Sequence, residues 1–191
     1  MKPQIPLMKH ISEKRKSKKS RMTRQNIGEA VLSLMRVRNY EEITVSDIAK
    51  KAHVSRMTFY HYFDSKTDAL NNYLYEIIES YLEECSRTLG IERFGDAAHV
   101  RHALLFLDQY TDFFLILAHA NLHSLMLNAL NDYMQKYLAP IYPRSIYELY
   151  FYAGALLNVF LKWEENGKKE PVEEMVQVIL NCCPSQFEKK K

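Results

Sequence analysis

The stretch ITVSDIAKKAHVSRMTFYHYF, residues Ile43 to Phe63, decides how this chain is read. Thr44 with Asp47 three residues on has the form of a capping box, in which each residue satisfies the other at a helix start. The helix it opens is short, with Ile48, Ala49 and Ala52 inward, and ends near His53. Ser55 caps a second short helix whose Phe59 and Phe63 lie one turn apart on one face. Two short helices joined across AHVS by a tight turn make a helix-turn-helix candidate, with small Ala49 where the helices approach most closely. Ile48, Ala49, Ala52, Val54 and Phe59 supply the buried side, which leaves Arg56, Met57, Thr58, Tyr60, His61 and Tyr62 on the second helix. The tyrosines then admit two readings. They are boundary aromatics with wet hydroxyls, or part of a face offered to DNA, where hydroxyls bond phosphates and the N-terminal residues reach base edges. Lys66, opening the next helix, adds charge to a helix N-terminus that already favours phosphate.

Outward from this stretch the pattern stays helical. Gly and Pro are scarce, strand-like alternation is missing, and an all-α fold is the expectation. Residues 1–21 are lysine-rich and aperiodic and read as a basic disordered arm. A helix follows from about Thr23, with Ile27, Ala30, Val31, Leu34 and Met35 on one stripe and Asn39 closing it in left-handed geometry. Ser65 with Asp68 repeats the capping pattern and starts a long helix striped from Leu70 to Cys85. Gly90 and Gly95 bracket a loop, and further helices are expected near 97–109, 110–118 and 121–138, up to the break at Pro140 and Pro143. A long helix from about Ser145 to Asn166 ends at Gly167, and the last runs from Pro171, as its first helical residue, to Cys183 before Pro184.

The charge is divided. Met1 to Lys66 carries 15 Lys/Arg against 6 Asp/Glu, a net of +9, and Thr67 to Lys191 carries 11 against 17, a net of −6. A basic head on an acidic body points to a polyanion as partner, or to a solvated tail. The apolar runs are too short to span a membrane, so no membrane partner is expected. The basic N-terminus has no apolar segment behind it, unlike a secretory signal. Three cysteines, with Cys182 and Cys183 adjacent, do not form a disulfide framework, and a cytoplasmic location fits best.

Tyr40 to Leu70, YEEITVSDIAKKAHVSRMTFYHYFDSKTDAL, resembles the DNA-binding signature of the TetR family of bacterial transcriptional regulators (TetR/AcrR-type helix-turn-helix). Tyr40, Ile43, Thr44, Val45, Ile48, Ala49, Ala52, Val54, Ser55, Phe59, Tyr60, Phe63, Lys66 and Leu70 stand where that signature expects them. Asn39 replaces the usual glycine, and Met57 sits where a small residue is common, facing the groove and able to alter base preference. The resemblance implies that Thr44, Arg56, Thr58, Tyr60, His61 and Lys66 face DNA, with Thr44, Tyr60 and Lys66 chiefly on phosphates. Phe59 and Phe63 are then core, and Tyr62 a boundary residue.

Phe151 to Ile179 resembles the last two helices of that family, which pack against a second subunit as a four-helix bundle. The residues carry the same idea. Leu149, Ala153, Leu156 and Phe160 make one stripe and Tyr150, Leu157 and Leu161 another, with Gly154 between, and a helix apolar on two sides needs partners on both. Burial in one subunit is the alternative to a two-fold interface. The expected interface is Leu149, Ala153, Gly154, Leu157, Phe160, Leu161, Val176 and Ile179. The family also implies an effector pocket, expected around Tyr81, Phe106, Tyr110, Phe113, Phe114, His119, His123 and Met126, although aromatic stripes at helical spacing are also ordinary core.

His119 and His123 at i, i+4, with His99 and His102 nearby, are spaced for a metal, but no glutamate adjoins His119 and the metalloprotease pattern is missing. No Gly-rich phosphate loop or Ser/Cys nucleophile motif occurs, and no cofactor is expected. The expectation is therefore a non-enzymatic, all-α, homodimeric repressor. Residues 1–21 form the arm, 22–68 the helix-turn-helix DNA-binding domain, and 69–191 a helical regulatory and dimerisation domain. The resemblance implies that it binds a palindromic operator in double-stranded DNA and is released by a small-molecule or protein effector acting through the long fourth helix. A co-activator-dependent activator of the same family is the alternative, and a metal-dependent enzyme built on the His cluster a more distant one.

Overall fold

The computed structural model describes residues 18–89, 95–140 and 145–182, and every regular element among them is helical. The chain divides into two compact units at Tyr73/Leu74, five residues beyond the boundary expected at residue 68.

The first unit holds α1 (Lys18–Met35), a 3-10 turn (Tyr40–Glu42), α2 (Val45–Lys51), α3 (Arg56–Tyr62) and the start of α4 (Lys66–Thr88). Helix α1 starts five residues before Thr23, so Lys18 to Arg21 of the expected arm are helical. The remainder of the arm, residues 1–17, lies outside the described residues. Ile27, Ala30, Val31 and Leu32 are buried, while Leu34 and Met35 are only half-buried, so the stripe turns away at the helix end. Asn39 is not left-handed. It has φ −60° and ψ 134° because α1 has already ended at Met35 and Asn39 introduces the 3-10 turn. The left-handed residue of this unit is His53 (φ 55°), which reverses the chain between α2 and α3. Ile48, Ala49, Ala52, Phe59 and Phe63 are buried as expected, whereas Val54 is half-buried.

The second unit holds the rest of α4, then α5 (Ala97–Asp108), α6 (Thr111–His119), α7 (His123–Tyr133), α8 (Ile146–Glu165) and α9 (Val172–Cys182). Helix α7 does not run unchanged to residue 138 but widens into a π turn over Met134–Leu138. Helix α8 ends in a Schellman motif. The Lys168 amide donates to the Trp163 carbonyl and the Gly167 amide to that of Glu164, with Gly167 at φ 77° as the C′ residue. Pro171 stands just before α9 rather than as its first residue, its carbonyl accepting from the Glu174 amide at 3.0 Å. Cys183 lies outside the described residues.

Helix α8 packs against α5, α6, α7 and α9, and this overturns most of the expected interface. Leu149, Ala153, Leu157, Phe160 and Leu161, with Val176 and Ile179 on α9, are buried within the one chain. Both apolar stripes of α8 serve its own core except at Tyr150, which is exposed. Gly154 alone of that set faces open space, and Tyr147, Phe151 and Asn158 are exposed along the same side.

In α1, close approach requires a glycine. A Cβ on Gly28 would lie 2.8 Å from Cδ2 and 3.2 Å from Cβ of Tyr73. Alanine would gain about 1 kcal/mol in helix propensity, but the clash costs about 1–3 kcal/mol of overpacking. Gly28→Ala is expected to lower the thermal stability of the first unit. An unchanged or higher Tm would show that Tyr73 yields freely.

Candidate functional site

The capping box at the start of α2 is complete. Thr44 Oγ1 accepts from the Asp47 amide at 3.2 Å, and the Thr44 amide donates back to the Asp47 carboxylate at 3.0 Å. The Thr44 hydroxyl also donates to that carboxylate at 2.7 Å, and Arg38 pairs with it at 3.2 Å. The Thr44 bonds hold the Asp47 carboxyl below the usual carboxylate range. This alters the reading of Thr44, because both of its donors already serve Asp47 and neither is left for a phosphate.

Helix α3 begins at Ser55, whose Oγ accepts from the Thr58 amide at 2.9 Å. Phe59 is fully buried and its ring meets that of Phe63 at 5.9 Å. With Phe59 and Phe63 inward, the 3.6-residue period turns Met57 and His61 to solvent and Tyr60 to the flank, while Arg56, three residues before Phe59 and on its face, is exposed because it opens the helix. Met57 is 84% exposed and Tyr60 50%, uncommon values for large apolar side chains on a short helix. The Tyr60 ring stands edge-on to Phe59 at 5.6 Å, so its body is braced while its hydroxyl projects. Tyr62 is half-buried against His61 at 4.8 Å and is a boundary residue. Thr58 is half-buried and shares a hydrogen bond with Ser55. A guanidinium, a thioether, a phenol and an imidazole thus project from under two turns of helix, groups that suit base edges and phosphates.

Lys66 is engaged otherwise than expected. Its Nζ donates to the carbonyls of Tyr40 (2.5 Å), Glu41 (3.2 Å) and Ile43 (3.2 Å) and lies 4.2 Å from the Tyr40 ring centroid. An ammonium has three protons. All three are directed at the 3-10 turn, so Lys66 clamps that turn to the start of α4 rather than presenting its charge outward. The adjacent Tyr40 hydroxyl and Thr67 Oγ1, 2.7 Å apart, close the same joint, and burial raises the Tyr40 pKa. Ser65 caps α4 through the Asp68 amide at 3.1 Å, while the Asp68 carboxylate accepts from Asp64 rather than Ser65.

A second candidate site lies in the other unit, a partly open apolar pocket with about 530 Å³ of free space that includes the solvent at its mouth. Of the residues expected to form a pocket, Tyr81, Phe106 and Phe114 line it. Tyr110, Phe113, His119, His123 and Met126 do not: Phe113 and Met126 are buried elsewhere in the core, and the two histidines are exposed. Residues not foreseen complete the wall, with Leu74, Ile77 and Ile78 on α4, His99, Ala103 and Leu107 on α5, and Tyr133, Tyr152 and Leu156 opposite. His99 is buried, 2.9 Å from the Tyr81 hydroxyl through Nε2 and 3.7 Å from Cys85 Sγ through Nδ1. Burial lowers its pKa to about 4, so it is neutral at pH 7. The helical pattern had offered His99 only as one of four histidines. Those four do not assemble: His102 stacks on Tyr81, 3.7 Å from Glu84, and among the described residues no group of three or more His, Cys, Asp or Glu is placed to hold a metal.

Residues 27–71 match the family described as bacterial regulatory proteins, tetR family. The chain is 27% identical over 173 residues to an uncharacterised HTH-type transcriptional regulator, YxbF, of Bacillus subtilis (strain 168), covering 78% of this chain and 42% of that protein. It is 41% identical over 54 residues to the HTH-type dhaKLM operon transcriptional activator DhaS of Lactococcus lactis subsp. lactis (strain IL1403), covering 28% of this chain and 29% of that one. The chain thus spans less than half the length of these two relatives. The solved structure of a dihydroxyacetone kinase operon activator DhaS superposes with a TM-score of 0.53 at 20% identity, over 86% of this chain and 96% of that one. The fatty acid degradation regulator FadR from Bacillus halodurans gives 0.54 at 17%, over 87% and 97%. These likenesses extend the shared fold over most of the chain.

The clamp and the projecting hydroxyl predict different failures. Lys66→Met keeps the aliphatic stem but removes a donor from three carbonyls, of which only that of Tyr40 keeps a backbone partner in the Ile43 amide, and should cost the first unit about 1–3 kcal/mol of stability. Any loss of DNA affinity should leave the slope of log K against log salt unchanged, since no phosphate contact is lost. Tyr60→Phe should keep the Tm and weaken DNA binding by about 1 kcal/mol. Thermal melts beside salt titrations check both. A slope reduced by one for Lys66→Met would restore that residue to the phosphates.

Proposed function

We propose that this chain, which belongs to the TetR family of bacterial transcriptional regulators, binds a palindromic operator as a homodimer through α3 and is released when a ligand fills the cavity of its second unit. The exposed face of α3 carries this reading: Arg56, Met57, Tyr60 and His61 project from a helix pinned by Phe59 and Phe63. In this reading Arg56 and Met57 meet base edges, Tyr60 and His61 meet the backbone or an adjacent base, and Thr44 and Lys66 hold the helix-turn-helix in shape. Arg56→Ala then relaxes sequence preference by about 1–3 kcal/mol at the base it reads. The basic residues ahead of α1 add sequence-independent affinity.

The homodimer in this proposal uses the outward side of α8, where Tyr147, Phe151, Gly154 and Asn158 follow one another at helical spacing. Tyr147 is 82% and Phe151 59% exposed, and Val178 on α9 is exposed as well. Large rings on a two-fold surface become hot spots once covered. The cavity is assigned to the effector because α4, which begins at Lys66, also lines it with Leu74, Ile77, Ile78 and Tyr81.

A second reading, in which the protein activates transcription, is favoured by the likeness to a protein named as an operon transcriptional activator. Run-off transcription from the bound promoter, with and without the protein, separates the two signs.

Selection of bound fragments from a random duplex pool tests the proposal, with two inverted half-sites expected and no enrichment contradicting it. Gly154→Arg tests the assembly. A Cβ there meets nothing within 4 Å, so the fold should tolerate the arginine while a buried unpaired charge opposes the dimer. Sedimentation is expected to show a shift from dimer to monomer, with the helical content by circular dichroism unchanged. A variant as dimeric as the wild type would move the interface elsewhere.

A further inference from the structure

We infer that Met57 reads the C5 methyl group of a thymine in each half-site of the operator, so that one methyl on the DNA sets part of the sequence preference. The inference rests on the DNA-binding reading above and names the base that one residue of that face recognises.

Position is the first argument. Phe59 and Phe63 define the buried side of α3, and at about 100° per residue Met57 and His61 lie farthest from it. Met57 is also the second residue of the helix, in the first turn, where a groove-bound helix presents side chains to base edges. It is 84% exposed, more than any other large apolar side chain among the described residues. The first unit therefore makes almost no use of it for packing.

Chemistry is the second. A thioether has no donor and only a weak acceptor, so it cannot satisfy the polar groups of base edges. In the major groove guanine offers N7 and O6, cytosine an amino group and adenine both N7 and an amino group. Thymine alone adds a methyl. Covering that methyl with Met57 takes two apolar groups out of water together, whereas any other base there would be desolvated at a polar atom without a partner. The unbranched, adaptable methionine chain suits such a contact.

Charge decides between a duplex and an apolar protein surface as the occupant. Arg56 precedes Met57 and His61 lies one turn on, both exposed, and Met1 to Lys66 holds 15 Lys/Arg against 6 Asp/Glu. A protein partner would meet a single apolar side chain among polar ones, far short of a stable interface. A duplex meets cations for its phosphates and one apolar contact for its one apolar edge group.

The test uses the full chain and the duplex it selects from a random pool. Each thymine of one half-site is replaced in turn by deoxyuridine, which pairs identically and lacks only the methyl. At one position wild-type affinity is expected to fall about three- to fivefold, the value of one buried methyl. There Met57→Ala, with an unchanged Tm, should bind both duplexes equally. Met57→Gln gives an independent readout. Its amide pairs with adenine N6 and N7, so the base selected at that position should change from thymine to adenine. The inference is overturned if no thymine is methyl-dependent, if the dependence persists in Met57→Ala, or if Met57→Gln still selects thymine, and operator binding stands in each case. A pool that yields no selected sequence brings down the DNA-binding reading itself.

Discussion

The burial of Phe59 is the constraint on which the exposed face of α3 depends. Helix α3 has seven residues, too few to persist through intrinsic propensity. It is held by tertiary burial at two points one turn apart, Phe59 and Phe63, and by Ser55 at its N-terminus. Those anchors fix the rotation of the helix about its axis. With the rotation fixed, the exposed set follows from about 100° per residue. Met57, Tyr60 and His61 cannot turn inward without expelling a ring, and Arg56 is exposed by its place at the helix start.

The groups around this helix divide by what already satisfies them. Thr44 and Lys66 are polar and stand at helix starts, where an anion is welcome on dipole grounds alone. Yet Thr44 gives both of its donors to Asp47, and Lys66 donates to three carbonyls at the short 3-10 turn, of which that of Tyr40 also accepts from the Ile43 amide. Tyr60 differs, since its ring is half-exposed and braced only by an edge-on contact with Phe59. The first unit is therefore better described as a braced frame carrying a small recognition face than as a surface where every polar residue meets the ligand.

What could be read in the sequence follows the range of the forces involved. Caps at Thr44 and Ser55 and the Phe59/Phe63 spacing act within four residues, and their pattern alone located α2, α3 and the inward ring pair. The end of α8 at Gly167 was legible for the same reason. The engagement of Lys66 was not, because its partners lie 23 to 26 residues upstream and any lysine at a helix start reads as exposed charge. Helix α8 misled differently. An apolar pattern on two sides says that both are covered but not by which chain, and here Leu149, Ala153 and Leu157 are covered by their own subunit. The cavity was the hardest to foresee, since its wall combines residues from α4, α5, α6, α7 and α8.

The central claim is that α3 meets DNA through one face and the core through the other. Methyl and aromatic NMR shifts, recorded as a selected duplex is titrated in, test it most directly. The account predicts large shifts for the Met57 methyl and the Tyr60 and His61 rings, with Phe59 and Phe63 nearly still. Shifts concentrated on other surfaces, with Met57 and Tyr60 unmoved at saturating DNA, would contradict it.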